Sequence, residues 1–155
     1  MKKILFFTMM AGMLMTVSCR NDEKEEEVTS VIGNWKVQKM TAKGTFTSGG
    51  FPIPVPNTSS ESACVRDSKL DLNADKTGFV LLKQDITGPC EEIGNDNFTY
   101  AYDPDTKTIT AKYNGSIEEF TVSHLTNNEM TLKQVTAIST PQGIFNGEIT
   151  LNMKK

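Results

Sequence analysis

From residue 33 onward, apolar residues recur at every second position in short runs spaced about ten residues apart, and that spacing restricts the chain to antiparallel β-structure. Phe98, Tyr100 and Tyr102 alternate with Thr99 and Ala101. Ile109, Ala111 and Tyr113 share the next face. Phe120 and Val122 follow, with Thr121 and Ser123 opposite, then Met130 with Leu132, and finally Phe145, Ile149 and Leu151. An earlier run, Gly33-Asn34-Trp35-Lys36-Val37, sets Trp35 and Val37 against Lys36 and Gln38. The links are turn sequences: Asp103-Pro104-Asp105-Thr106, Tyr113-Asn114-Gly115-Ser116 and Thr126-Asn127-Asn128. The Asn-Gly pair is the combination a tight type I′ hairpin requires. No run has helical period, and residues 57–63 have room for one helical turn at most. Short sequential links predict an all-β, up-and-down antiparallel sheet. About eight strands with one apolar face close into a β-barrel, which removes exposed edges. A two-sheet β-sandwich is the alternative.

The stretch from Cys64 to Cys90 reads as one hairpin. Leu70 and Leu72 alternate with Lys69, Asp71 and Asn73, residues 73–78 turn, and Phe79 and Leu81 lead back. Gly78 is free to take the positive φ of a bulged loop. With the turn centred near residue 75 or 76, Cys64 and Cys90 meet at the open end of the hairpin, where a disulfide is geometrically reasonable. Residues 91–96 read as a polar loop. Residues 41–63 lose the period, and Gly49-Gly50-Phe51-Pro52-Ile53-Pro54-Val55-Pro56 is extended, its three prolines removing three amide donors. A central strand cannot run there. Phe51, Ile53 and Val55 should not sit bare in water, so this segment is expected to close a barrel mouth as a lid, to contact a partner, or to pack as an irregular edge.

The N-terminus carries an address. Met1-Lys2-Lys3 precedes an apolar run from Ile4 to Ser18 that is short for a membrane span and fits a secretory signal peptide. Its end, Thr16-Val17-Ser18-Cys19, resembles the lipobox of bacterial lipoproteins, which implies that Cys19 becomes the lipid-modified first residue of the mature chain. Thr16 stands where that motif usually has Leu. With Cys19 acylated, the other two of the three cysteines form an even pair in an oxidising compartment. The run Arg20 to Glu27, with five acids against two bases, is a solvated tether. Its place after the lipidated cysteine resembles the surface-export signal of Bacteroidota lipoproteins. The expected organisation is a signal peptide over 1–18, a lipidated cysteine and acidic tether over 19–30, and a domain over 31–155. The expected location is the outer membrane, lipid-anchored at the cell surface, with a periplasm-facing anchor as the alternative.

From Val28 onward, 12 basic residues stand against 14 acidic ones. That near-neutral balance leaves no footprint for nucleic acid. No basic amphipathic helix lies on lipid, so membrane contact is expected through the N-terminal lipid alone.

Gly33-Asn34-Trp35 resembles the Gly-x-Trp opening of lipocalins. The succession Cys64, Leu70-Asp71-Leu72-Asn73-Ala74-Asp75, Cys90 and Tyr100 is similar to lipocalin-like domains of Bacteroidota lipoproteins, as is Leu125-Thr126-Asn127-Asn128-Glu129-Met130-Thr131-Leu132. The resemblance spans roughly residues 31–135. Two features depart from it: Asp75-Lys76 replaces the frequent Asp-Gly turn, and the last strand lacks the arginine that packs on the tryptophan in lipocalins. The resemblance implies a barrel that binds a small apolar or amphipathic ligand. Trp35 is then a cavity floor or a core anchor. Phe98, Tyr100, Tyr102, Tyr113 and Phe120 line the pocket or fill the core, and Phe51, Ile53 and Val55 gate it.

Enzyme chemistry has little to work with. His124 is the single histidine, no Cys/His spacing suits a metal, and no Gly-x-Ser-x-Gly or phosphate loop occurs. Glu118-Glu119 and Glu91-Glu92 are neighbours that point to opposite faces of a strand, so neither makes a carboxylate dyad. No cofactor is expected. Two functions follow: a carrier with a ligand inside the barrel, or a filled barrel acting by its surface as an accessory or inhibitory subunit of an envelope protein complex.

Overall fold

The computed structural model describes residues 29–86 and 88–155; the leader, Cys19 and the acidic segment as far as residue 28 lie outside the described residues. The described residues form β1 (Gly33–Ser48), β2 (Phe51–Ser60), α1 (Ala63–Arg66), β3 (Lys69–Leu72), β4 (Thr77–Gln84), β5 (Glu91–Asp103), β6 (Thr108–Tyr113), β7 (Ser116–Leu125), β8 (Glu129–Thr140) and β9 (Gly143–Lys154). From β3 to β9 each strand pairs antiparallel with the next, β1 pairs with β3, and β9 returns to β1 over Lys36–Thr47. Eight strands therefore close a ring, and the β1–β9 ladder is what makes this a barrel and not a sandwich. β2 is a ninth strand outside the ring, paired only with the later part of β1.

β1 can serve both ends of the chain because it is long and because its alternation is reset once. The ladder to β9 slips between Val37 and Lys39, so Gln38 is an extra residue. Trp35 and Val37 face inward before this bulge; Met40, Ala42 and Phe46 do so after it. A bulge of this kind bends a strand and keeps one face on the core while the sheet curls. The interior is completed by Leu72, Phe98, Tyr100, Ile109, Val122, Met130, Leu132, Phe145 and Met153 among others.

One end of the ring is plugged. Trp35 is fully buried, its Nε1 donates to the Val31 carbonyl at 2.8 Å, and the Lys155 ammonium lies 4.5 Å from the ring centroid. The Tyr100 hydroxyl donates to the Asn73 carbonyl at 2.8 Å and its ring meets Phe98 edge-on. Lys155 thus sets a cation over the Trp35 ring.

Several local expectations are corrected. Residues 51–60 are a strand, not an irregular segment. Phe51, Ile53 and Val55 pair with Ser48, Phe46 and Gly44 of β1. Backbone groups of alternate residues point to opposite sides, so Pro52 and Pro54, opposite Thr47 and Thr45, place their missing amides on the free edge, while Pro56 lies at the bulge between the Gly44–Val55 and Ala42–Thr58 pairs. An edge strand tolerates proline there, where a central one does not. Residues 91–96 are the first part of β5, not a loop. They pair with β4 through a bulge at Ile93, between the Leu82–Gly94 and Lys83–Glu92 pairs. Cys64 sits on α1 and not on a hairpin strand, and this single helical turn lies at 63–66, slightly after the segment expected to hold it. The Ser62 hydroxyl caps it by accepting from the Val65 amide. Cys64 and Cys90 are disulfide-bonded with Cα atoms 5.8 Å apart. The positive φ in the β3–β4 turn belongs to Lys76, at 68°, while Gly78 is an ordinary residue of β4. On β4 it is Val80, opposite Leu70, that faces the interior, and Phe79 lies outside under the Lys69 ammonium.

Candidate functional site

The strands of the ring differ in length at the end opposite Trp35, and this difference shapes a site. The β6–β7 hairpin turns at Asn114 and Gly115, whose φ values of 48° and 81° are those of the Asn-Gly turn. Its neighbours run on. β5 pairs with β6 only over Thr99–Asp103, leaving Glu91–Phe98 without a partner on that side. The β7–β8 ladder ends at Thr121–Lys133, while β8 continues to Thr140 beside β9 alone. The wall is therefore low at the β6–β7 turn and tall on both sides of it.

Behind this notch lies a cavity of about 300 Å³, the lower end of the range for small-molecule sites. Leu72, Val80, Leu82, Ile109, Ala111, Leu132, Leu151 and Met153 give it an aliphatic interior, with Phe98 and Phe120 as its aromatic walls. Four polar side chains gather at the sill, and Lys69, Thr136 and Ser139 also border the cavity. Tyr113, Asp96, Glu118 and Gln134 all border the cavity there. The Gln134 amide donates to Glu118 Oε2 at 2.6 Å, bridging β7 and β8 just past the end of their ladder. The Asn114 amide donates to Asp96 Oδ1 at 3.1 Å. Burial pushes the Tyr113 hydroxyl above its ordinary pKa, and the nearby charges of Glu118 and Asp96 push it further in the same direction.

Of the residues singled out from sequence, the structure brings Phe98, Tyr113 and Phe120 together on this cavity. Trp35 and Tyr100 lie at the plugged end, in the core. Tyr102 packs, half-buried, against the core cluster, also away from the cavity. Phe51, Ile53 and Val55 lie on β2, on the same face as Phe46, with exposures of 76%, 51% and 9%. They belong to the β1–β2 hairpin and do not line the cavity. Their face is continuous with it through Phe145 and Ile138, which lie in register with Phe46. Ile93 and Ile138 border both the cavity and a smaller apolar recess against Phe145 and Ile149.

Asp96 and Gln134 were not singled out from sequence, and Glu118 was weighed only as half of a carboxylate dyad with Glu119. The signal was present: Asp96 has the parity of Phe98 and Tyr100, and Glu118 that of Phe120 and Val122, so each is a charge on an inward-facing register. Among the described residues no three His, Cys, Asp or Glu side chains cluster to hold a metal, and His124 is exposed beside a β-bulge.

No curated protein matches the chain. Among solved structures, a deswapped triple mutant of bovine odorant-binding protein aligns over 79% of this chain and 72% of its own, with 13% identity and a TM-score of 0.38. A family model described as a lipocalin-like domain matches residues 31–132, from the buried Val31 beside Trp35 to the inward-facing Leu132 of β8. That match runs over well more than half of the sequence and over most of the closed ring, and the chain belongs to the lipocalin-like domain family.

Proposed function

We propose that this protein is a carrier or sensor of a small amphipathic molecule, held non-covalently in the barrel and presented at a membrane by a lipid on Cys19. The cavity is the observation that supports it: an apolar space of about 300 Å³ reached through a notch whose sill carries the polar groups. Such a division suits a ligand with an apolar body and a hydrogen-bonding head. The lipid anchor rests on the apolar run to Ser18 and the Thr16-Val17-Ser18-Cys19 sequence. The acidic residues that follow support display at the cell surface.

Binding of the neutral fluorophore phenylnaphthylamine to the full chain carrying Cys19→Ser tests the carrier reading. Saturable binding is expected, weakened about tenfold in Ala111→Leu, because Ala111 is buried on the cavity wall and the larger side chain takes up ligand space. Binding that is unsaturable, or indifferent to that substitution, overturns it. Incorporation of labelled palmitate by the wild-type chain and not by Cys19→Ser tests the anchor.

A second reading is favoured by Phe51 and Ile53, which stay exposed at the tip of β2. An envelope protein partner that covers them would make the β1–β2 hairpin a contact arm, and loss of a co-purifying partner on Phe51→Ser with Ile53→Ser would distinguish this from the carrier.

A further inference from the structure

We propose that the cavity selects amphipaths with a cationic, amine-type head, seated on the β6–β7 sill with the chain directed inward; this rests on the carrier reading above. The charges that face the notch are of one sign. Asp96 and Glu118 both border the cavity, on inward registers of strands from opposite sides of the turn. Neither makes an ion pair among the described residues; Asp96 accepts from the neutral amide of Asn114, and Glu118 from that of Gln134. The basic groups nearby are turned elsewhere. Lys112 and Lys133 are exposed and alternate with the inward-facing Ala111, Tyr113, Leu132 and Gln134. Lys69 contributes to the wall, but its ammonium is held 3.5 Å from Asp71 and 4.8 Å from the Phe79 ring, on the outer face. The sill thus has negative charge and acceptors and no positive charge of its own.

A carboxylate head seated here would face two like charges, whereas an ammonium head would be drawn to both and can donate three hydrogen bonds. A carboxylate has about four lone-pair sites, so Glu118 and Asp96 can accept from an amine without displacing Gln134 or Asn114. Access comes from the side. Beyond Thr121–Lys133 no backbone ladder joins β7 to β8, so a head on the sill stays in contact with water while its chain lies among Ile109, Leu132 and Val80.

Titration calorimetry with octylamine, octanol and octanoate at neutral pH separates head from chain. Octylamine is expected to bind about tenfold more tightly than octanol, and octanoate more weakly than either, the size expected for a charge-assisted hydrogen bond. Glu118→Gln keeps a side chain that can still bond Gln134, and it should remove most of the octylamine preference, lowering octylamine affinity by a larger factor than octanol affinity. Asp96→Asn should act in the same direction by a smaller factor. Octanoate binding as tightly as octylamine, or an octylamine preference that survives both substitutions, overturns the proposal. If none of the three binds while phenylnaphthylamine still does, the head-group proposal fails and the carrier reading stands; if phenylnaphthylamine fails as well, both fall.

Discussion

Gly78 shows how one residue can be indispensable for a reason different from the one its sequence context suggests. Within Asn73-Ala74-Asp75-Lys76-Thr77-Gly78 the glycine invites a left-handed turn residue, yet Lys76 takes that conformation. Asp75 makes this workable by accepting from both the amide and the hydroxyl of Thr77, at 3.0 and 2.6 Å. Gly78 instead lies flat beneath the Phe98 ring. A Cβ there would come within 2.6 Å of Phe98 Cε2 and 2.8 Å of the Asp71 carbonyl. Gly78→Ala must therefore displace Phe98, a wall of the cavity, or open the β3–β4 ladder. Overpacking of this kind costs about 1–3 kcal/mol, and a lowered urea midpoint with weakened phenylnaphthylamine binding is expected. Unchanged stability would show that the ring has room to move.

At the scale of elements, the ninth strand and the disulfide belong together. β2 leaves the ring, so the stretch between it and β4 has no long ladder to hold it. Three devices fill that role. Val65 of α1 is fully buried, the Ser68 hydroxyl accepts from the Lys83 amide at 2.8 Å, and the Ser62 and Ser60 hydroxyls hold the Asp85 carboxyl below its ordinary pKa. The Cys64–Cys90 bond then ties α1 to the start of β5 across a separation of 26 residues. Chain-entropy reasoning gives such a closure about 3.5 kcal/mol. Replacing both cysteines by Ala should lower the unfolding free energy by roughly that amount while leaving the β6–β7 sill, and hence octylamine selectivity, in place. A change in selectivity without a loss of stability would contradict this division. The prolines act separately. With Pro52 and Pro54 on its outer side and a bulge at Pro56, β2 offers few amides to a foreign strand, which is how exposed edges are kept from pairing.

For the molecule as a whole, the carboxylates set how it meets acid. Asp75 and Asp103 lie below their ordinary value of 3.8 through hydrogen bonds at turns, to Thr77 and to Thr106 and Asp105 respectively. Glu129 lies below its ordinary 4.5 through Lys154. Each binds its proton less readily folded than unfolded, so the stability these groups contribute is complete above those ordinary values and is lost as pH falls through the lowered native ones. Urea midpoints should be flat near neutrality and decline between about pH 5 and pH 2; midpoints that hold or rise in acid would refute the assignment. The sequence by itself determined most of the strand periods, the turns at Asp103 and Asn114, and an antiparallel sheet able to close as a barrel or pack as a sandwich, with Cys64 and Cys90 placed for a disulfide; the β1–β9 ladder and the bond itself were decided by the tertiary structure. Alternation, turn chemistry and cysteine number are local properties, and a sheet with one apolar face and short links has few ways to close. Only the tertiary structure decided that β2 is an edge strand, since that depends on which side of each proline faces β1. Likewise, only the ladder lengths of strands distant in sequence leave the β6–β7 turn low and bring Asp96, Tyr113, Glu118 and Gln134 to one sill, because strand register across a barrel is fixed by closure and not by any single segment.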